Sequence, residues 1–285
     1  QYCNSWFCVD PTLPGYNPNA SYTQFTEDPT YQAGVGAANT GFGNVVQPWG
    51  EPDAERLSLF FNAGYQIDDD TEAYAFGSYM DSESDGSFFY RYPRNGTIEQ
   101  LREQDGGIYD PLEKYPGGFT PRFFGEQEDM SIVGGIRGEW NNGLSYDFSA
   151  RHGENEIQYT LANTINPSQG RASQKSFRPG DLINEETQFQ ADFTYEMENE
   201  VLLAFGATYL DEAYEVVGGE PNSYEAGPHS VQDPFGFCSG TSPTAAGSAV
   251  IANGSTLNCA DSDDPVYTVV GVGSNGFPGY SPQFS

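Results

Sequence analysis

Met130-Ser131-Ile132-Val133-Gly134-Gly135-Ile136-Arg137-Gly138-Glu139-Trp140-Asn141-Asn142-Gly143-Leu144-Ser145-Tyr146-Asp147-Phe148-Ser149-Ala150-Arg151 reads as a β-hairpin whose two faces meet different surroundings. On the way out, Met130, Ile132, Gly134, Ile136, Gly138 and Trp140 alternate with Ser131, Val133, Gly135, Arg137 and Glu139. On the way back, Leu144, Tyr146, Phe148 and Ala150 alternate with Ser145, Asp147, Ser149 and Arg151. Successive side chains of a strand point to opposite faces, so this period of two puts apolar groups on one face and ionised groups on the other. Asn142-Gly143 between the two runs is a preferred tight-turn pair.

The same pattern recurs on either side. Leu57, Leu59, Phe61, Ala63, Tyr65 and Ile67 alternate with Ser58, Asn62, Gly64 and Gln66, and Asp68-Asp69-Asp70-Thr71 then forms a polar turn. The strand that follows, Glu72 to Asp81, is apolar at both parities, and the reading places Tyr74, Phe76 and Met80 on the lipid side. A third hairpin sets Phe189, Ala191, Phe193, Tyr195 and Met197 opposite Gln188, Gln190, Asp192, Thr194 and Glu196. It turns at Glu198-Asn199-Glu200 and returns with Leu203, Phe205, Ala207 and Tyr209 on one face and Ala204, Gly206 and Thr208 on the other.

Six strands of about ten residues match the nine to eleven that a tilted strand needs to cross a bilayer. Their connections alternate between short turns and long Gly-, Pro- and Ser-rich segments near 82–128, 154–186 and 215–285. Outer-membrane barrels sort their connections in this way, with short periplasmic turns and long external loops. The aromatics Tyr65, Tyr74, Trp140, Tyr146, Tyr195 and Tyr209 stand near strand ends, where an amphipathic ring suits a headgroup boundary. The expected fold is therefore all-β: an antiparallel transmembrane barrel segment of about six strands in three hairpins. Residues 1–53 and 216–285 are expected to be extracellular loops flanking hairpins and loops in 54–215. Open strand edges are costly in lipid, so such a segment needs further strands to close it.

Composition narrows the function classes. With 11 Lys+Arg against 41 Asp+Glu and a net charge of −30, the chain lacks the clustered cations that hold nucleic-acid phosphates. Nucleic-acid binding is excluded on that ground. No apolar run is long enough for a membrane helix, and Gln1-Tyr2-Cys3-Asn4 does not open a signal peptide, so the chain is expected to be a processed or internal piece of a larger exported protein. The four cysteines form two local pairs, Cys3 with Cys8 and Cys238 with Cys259, neither with metal or redox spacing. Proximity makes two disulfides the natural pairing, which fits an oxidising compartment.

No catalytic constellation is visible, and the expectation is a non-enzyme without cofactor or metal. His152 and His229 lack the spaced Cys or His company of a metal site. Asp68-Asp69-Asp70 and Asp261-Ser262-Asp263-Asp264 lack the Gly and final Glu of an EF-hand loop. The lumen-facing candidates are Arg137, Glu139, Asp147, Arg151, Gln190 and Asp192, placed to pack a plug through ion pairs or to line a solute path. The loop aromatics Trp49, Phe88, Phe89, Tyr90 and Tyr92 are candidates for stacking on a ligand, or for packing the loops themselves.

Several short motifs carry a resemblance. Pro48-Trp49-Gly50, Leu59-Phe60-Phe61-Asn62-Ala63-Gly64-Tyr65, Tyr74-Ala75-Phe76-Gly77-Ser78-Tyr79, Tyr115-Pro116-Gly117-Gly118-Phe119 and Gly135-Ile136-Arg137-Gly138-Glu139 form one set. Asn163-Thr164-Ile165-Asn166-Pro167-Ser168, Phe205-Gly206-Ala207-Thr208-Tyr209, Gly219-Glu220-Pro221-Asn222-Ser223-Tyr224 and Gly273-Ser274-Asn275-Gly276-Phe277-Pro278-Gly279 form another. Together they resemble the middle of the barrel of TonB-dependent outer-membrane receptors. In that family about 22 strands enclose a plug. The resemblance implies a Gram-negative outer membrane and energy-coupled import of a scarce bulky nutrient such as a ferric siderophore, cobalamin or oligosaccharide. It implies as partners the remaining strands and plug of the same receptor, the TonB complex, outer-membrane lipid and a small nutrient ligand. The family's plug, TonB-contact segment and terminal aromatic strand have no counterpart in these residues. The competing expectations are a passive porin-like channel and a non-transport surface adhesin or assembly component.

Overall fold

The computed structural model describes residues 52–92, 95–197 and 201–282. In chain order the strands are β1 (Asp53–Gln66), β2 (Thr71–Ser87), β3 (Leu101–Arg102), β4 (Ile108–Tyr109), β5 (Arg122–Glu139), β6 (Leu144–Ala162), β7 (Ser176–Glu196), β8 (Leu202–Gly218), β9 (Cys238–Ser239) and β10 (Ser242–Pro243). The six long ones make a single antiparallel sheet in the order β1-β2-β5-β6-β7-β8, each strand beside its neighbour in the meander. The two-residue strands pair as β3 with β4 and β9 with β10 inside the long loops. No helix among the described residues is long and apolar enough to cross a membrane.

The hairpins form where their turn chemistry puts them. Trp140 N–H donates to Leu144 O at 3.0 Å and Gly143 N–H to Trp140 O at 2.8 Å, with Gly143 at φ +78°, a conformation that an L side chain adopts only under strain. In the first turn Ile67 N–H reaches Thr71 O at 2.9 Å while Asp68 Oδ1 accepts from Asp70 N–H. At the third, Met197 N–H donates to Val201 O at 2.9 Å, and the residues assigned to that turn, 198–200, lie outside the described ones.

Register decides the faces, because directly paired residues share one. One row runs Tyr65, Ala73, Ile136, Phe148, Ala191, Ala207, and another runs Ala63, Ala75, Gly134, Ala150, Phe189, Tyr209. These rows form an apolar face that is not covered: Phe61, Tyr65, Ile132, Ile136, Phe189 and Phe205 are all exposed. The intervening rows are polar, among them Gln66, Glu72, Arg137, Asp147, Asp192, Gly206.

Strand β2 corrects the sequence reading. Tyr74, Phe76 and Met80 lie on the polar face, paired with Gly135, Val133 and Asp129, and the apolar face of β2 is Ala73, Ala75, Gly77 and Tyr79. Two glycines explain the choice. A Cβ on Gly135 would come within 2.5 Å of the Tyr74 ring, and one on Gly77 within 2.7 Å of the Phe61 ring, so each ring occupies the space its neighbouring glycine leaves open.

Strand lengths also differ from expectation. The six strands have 14, 17, 18, 19, 21 and 17 residues. The long connections shrink accordingly to 88–121, 163–175 and 219–282. Hydrophobic alternation ends before the hydrogen-bond ladder does. Past Met130, β5 continues through Glu126 and Glu128, and past Ala150, β6 continues through His152, Glu154 and Glu156 on the face that was apolar.

The ends of the hairpins are staggered. The last pairs are Gln66↔Glu72, Glu139↔Ser145 and Glu196↔Leu202. In register, Glu139 lies two residues past Arg137, the partner of Glu72, and Glu196 two past Thr194, the partner of Ser145. Two residues per hairpin is one residue per strand, which at 3.3 Å per residue and 4.8 Å per strand corresponds to a tilt of about 35° if the turns share a plane.

The long loops are not loose. They pack on one another at the end opposite the turns and form a cap whose described residues include three small cores: Ile98, Tyr115, Phe119 and Ile165; Leu101, Tyr109 and Val270; and Phe237, Leu257, Cys259 and Val266. The Cys238–Cys259 disulfide closes the third, with Cα atoms 5.6 Å apart. Cys3 and Cys8, like residues 1–51 as a whole, lie outside the described residues.

Candidate functional site

The polar face is where the sheet concentrates its chemistry, and all six residues assigned to it from the sequence stand there. Arg137, Asp147 and Asp192 share one row, Gln190 lies one polar row farther from the turns, Arg151 two, and Glu139 one row nearer the turns. Their partners form a chain. Arg137 Nη2 meets Glu72 Oε2 at 2.9 Å, and the guanidinium lies 5.3 Å from the centre of the Tyr74 ring. The Tyr74 hydroxyl donates to Asp147 Oδ1 at 2.7 Å. On β7, Gln188 donates to Gln190 at 3.1 Å and Gln190 to Asp192 Oδ2 at 2.6 Å. Arg151 is ion-paired with Glu186.

Glu72 and Tyr74 complete this network, and sequence reasoning missed both. A signal was present: Glu72 and Tyr74 share parity, and an ionised residue on a two-solvent strand marks the polar face. The network borders a concavity of about 530 Å³ near the turns, lined also by Asp69, Asp70, Glu139 and Asp192. Among the described residues Arg137 is its sole cationic lining residue, so this end of the face is strongly negative.

In the cap, the loop aromatics divide. Tyr90 is fully buried, with its hydroxyl donating to Gly117 O, which leaves it no surface for a ligand. Phe88 packs edge-on to Phe123 at 5.5 Å. Phe89 remains 40% exposed with Arg91 5.7 Å from its ring centre, and Tyr92 is half-buried 6.5 Å from Tyr90. Trp49 lies outside the described residues.

Asn275 ties the three loops together. Its N–H donates to Ile165 O at 2.8 Å, its carbonyl accepts from the Thr164 hydroxyl at 2.5 Å, its Nδ2 donates to Thr97 Oγ1 at 2.9 Å, and its Oδ1 accepts from Arg91 Nε. The motifs around Tyr115, Ile165, Ser223 and Asn275, distant in sequence, thus meet in one place. A buried ion pair makes a second tie: Arg102 Nη2 to Asp264 Oδ2 at 2.7 Å and Nε to Oδ1 at 3.3 Å, with both side chains at most 5% exposed. Within the acidic cluster at 261–264, Asp264 also accepts from Val266 N–H and Asp261 from Asp263 N–H, while the Asp263 side chain is exposed. Among the described residues, no group of three or more His, Cys, Asp or Glu side chains is arranged to hold a metal ion.

His152 Nδ1 lies 3.0 Å from Thr187 Oγ1 on the exposed side of the sheet. His229 is buried in the cap, 3.8 Å from Glu103 Oε1, whose oxygen also accepts from Arg171 N–H. Burial lowers its pKa, and the Glu103 carboxylate offsets this only in part. A His whose folded pKa lies below its unfolded value of about 6.5 favours folding in its neutral form, and that stability is lost as pH falls from about 6.5 through the lowered folded pKa. The cap of the native protein is expected to become more susceptible to limited proteolysis as pH drops below about 6.5. His229→Gln, which has no proton to gain, should flatten that profile; an unchanged profile would assign the pH response elsewhere.

No protein-family model and no curated protein matches this chain.

Proposed function

We propose that the six-stranded sheet is part of the wall of an outer-membrane β-barrel and that the chain belongs to a TonB-dependent receptor importing a bulky nutrient. The observation that carries this reading is a sheet with two solvents: an apolar face, whose large side chains are exposed on β1, β5, β7 and β8, backed by a face of ion pairs and carboxylates. A soluble monomer rarely leaves so large an apolar surface uncovered, and in a bilayer it needs no other cover. The stagger of one residue per strand supports the same reading, since about 35–45° is the tilt of membrane barrel strands.

The apolar band slants in the same sense. It reaches Leu57 on β1, whose row ends at Glu215 on β8, yet on β8 it stops at Tyr209, six residues short of that row. Beyond the band the strands run on for about ten residues, lifting the cap about 25 Å above the bilayer. Among the described residues β1 and β8 each have one unpaired edge, which lipid would penalise by several kcal/mol per unsatisfied group, so the wall continues into further strands. The polar face then lines the lumen, and the Glu72–Arg137–Tyr74–Asp147 network sits at its periplasmic end, where a plug packs. The short motifs that meet in the cap direct the reading to an energised receptor in preference to a passive channel.

The decisive experiment is uptake by cells carrying the full-length protein, with and without TonB. Transport that persists unchanged without TonB, or with the proton-motive force collapsed, would refute the receptor. Orientation has its own test: a cysteine at Asn142 is expected to resist a membrane-impermeant maleimide on intact cells and to react after outer-membrane permeabilisation. Labelling on intact cells would invert the topology.

A further inference from the structure

The outer third of the polar face carries side chains that the ion-pair network does not use. Phe123 on β5 and Tyr159 on β6 stack with centroids 4.8 Å apart, and Phe277 of the last loop folds back over both, at 4.8 and 5.7 Å. Tyr280 stands edge-on to Phe277 at 5.6 Å. Its position is firmly held. Its N–H donates to Pro179 O and its carbonyl accepts from Gly219 N–H, both at 2.8 Å, while its ring lies where a Cβ on Gly180 would come within 2.9 Å. Tyr214, paired with Asn184 on the same face of β8, is 63% exposed.

Tyr159 and Tyr280 flank Phe277, and Tyr214 stands on the same face two strands from Tyr159. Burial raises the pKa of Tyr159 and of Tyr280, and the neighbouring phenols raise both further, Tyr214 acting on Tyr159 and both Tyr159 and Tyr214 on Tyr280. Among the described residues none of the three hydroxyls has a hydrogen-bond partner, and none is sealed from water. A phenol oxygen both donates and accepts, so the group offers flat apolar rings edged by three uncommitted polar atoms.

The surroundings restrict what can settle there. Asp129, Glu186 and Glu212 share this face, whereas Arg137, Arg151, Arg122 and Arg178 are already paired with Glu72, Glu186, Asp85 and Asp181, and Arg56 stands on the far edge strand. An anionic chelate would meet the carboxylates of Asp129 and Glu212, which no ion pair screens among the described residues, and guanidinium groups that already have carboxylate partners. We propose that this platform is a subsite for a neutral carbohydrate, with the C–H face of a pyranose ring on the aromatic surface and its hydroxyls bonded to Tyr159, Tyr214 and Tyr280. The proposal names the substrate class of the receptor proposed above and rests on that reading for the polar face being the lumen.

The test uses the full-length protein in detergent micelles, screened against an array of neutral glycans, with the best glycan then titrated calorimetrically. Tyr214→Phe and Tyr280→Phe remove hydroxyls and keep the rings, and each is expected to weaken binding about three- to ten-fold with the circular dichroism spectrum unchanged. A ferric tris-catecholate is expected not to bind. The proposal falls if no neutral glycan binds at about 1 mM, the weak end of specific recognition. It falls equally if the double Phe variant binds as tightly as the native protein, or if the ferric catecholate binds and is lost in that variant. Binding in micelles needs neither bilayer nor TonB. Glycan binding without TonB-dependent uptake would therefore retire the receptor alone, and TonB-dependent uptake without glycan binding the subsite alone.

Discussion

Ile136→Arg in the full-length protein is expected to abolish most of the folded, membrane-inserted population while leaving synthesis intact. Ile136 is 42% exposed and lies in the row Tyr65, Ala73, Ile136, Phe148, near the middle of the apolar band on β5. Were that face bathed in water, an Arg there would be close to neutral, as surface substitutions usually are. In a bilayer an Arg near the midplane of a barrel's lipid face costs about 2–4 kcal/mol, a shift of about thirty-fold or more in the folding equilibrium. The readout is the fraction that resists urea extraction from outer membranes and shows heat-modifiable migration. Gln190→Arg serves as the internal control. It places the same charge one strand position off the apolar rows, beside Asp192, which already accepts from Gln190 at 2.6 Å, and is expected to fold normally. Equal behaviour of the two variants would remove the membrane reading of the apolar face.

Breaking the Arg102–Asp264 pair is expected to have the second large effect, confined to the cap. Arg102 is 2% exposed, and besides Asp264 it donates to Gly106 O at 3.0 Å and approaches the hydroxyls of Ser255 and Thr256 at 3.3 Å. Asp264 also accepts from Asn258 N–H and Val266 N–H, both at 2.9 Å. Asp264→Ala strands a buried guanidinium and two amides, which typically costs about 3–5 kcal/mol. Hydrogen exchange should show 99–110 and 233–270 losing protection together while the amides of β5 through β7 keep theirs. Arg102→Met with Asp264→Leu, which removes both charges, should be markedly milder than Asp264→Ala. If both variants lose protection equally, the pair is a spacer and not an electrostatic tie.

These two sites mark opposite ends of what a one-dimensional reading reaches. The apolar face of β5 and β6 was legible because Arg137, Glu139, Asp147 and Arg151 interrupt one parity and leave the other wholly apolar. The same argument placed Gln190 and Asp192 correctly. The cap was not legible. One of its cores joins Ile98, Tyr115 and Phe119, spread over twenty-two residues of one loop, to Ile165 of the next, and contacts of that kind leave no local period. Tyr90 shows the consequence: its sequence neighbourhood left ligand stacking and loop packing equally open, whereas in the structure Tyr90 is buried beside Arg91, which pairs with Phe119 by two main-chain hydrogen bonds.

Strand length failed for a related reason. Alternation records a difference between two faces, and where both carry polar residues, as from Glu126 to Asp129 on β5, the pattern disappears although the ladder continues. Hence β7 runs for 21 residues, where the apolar pattern accounts for about half of them.

By itself, then, the sequence determined that this protein is built on three hairpins with short turns at one end, and which face of five of the six strands is apolar, because periodicity and turn chemistry are local. Only the tertiary structure decided the facing of β2, the true length of the strands and the assembly of the loops into a cap. In β2 both parities are apolar, so hydrophobicity cannot choose between them. The choice is made across the sheet, where Gly135 leaves room for the Tyr74 ring and Asp147 takes its hydroxyl.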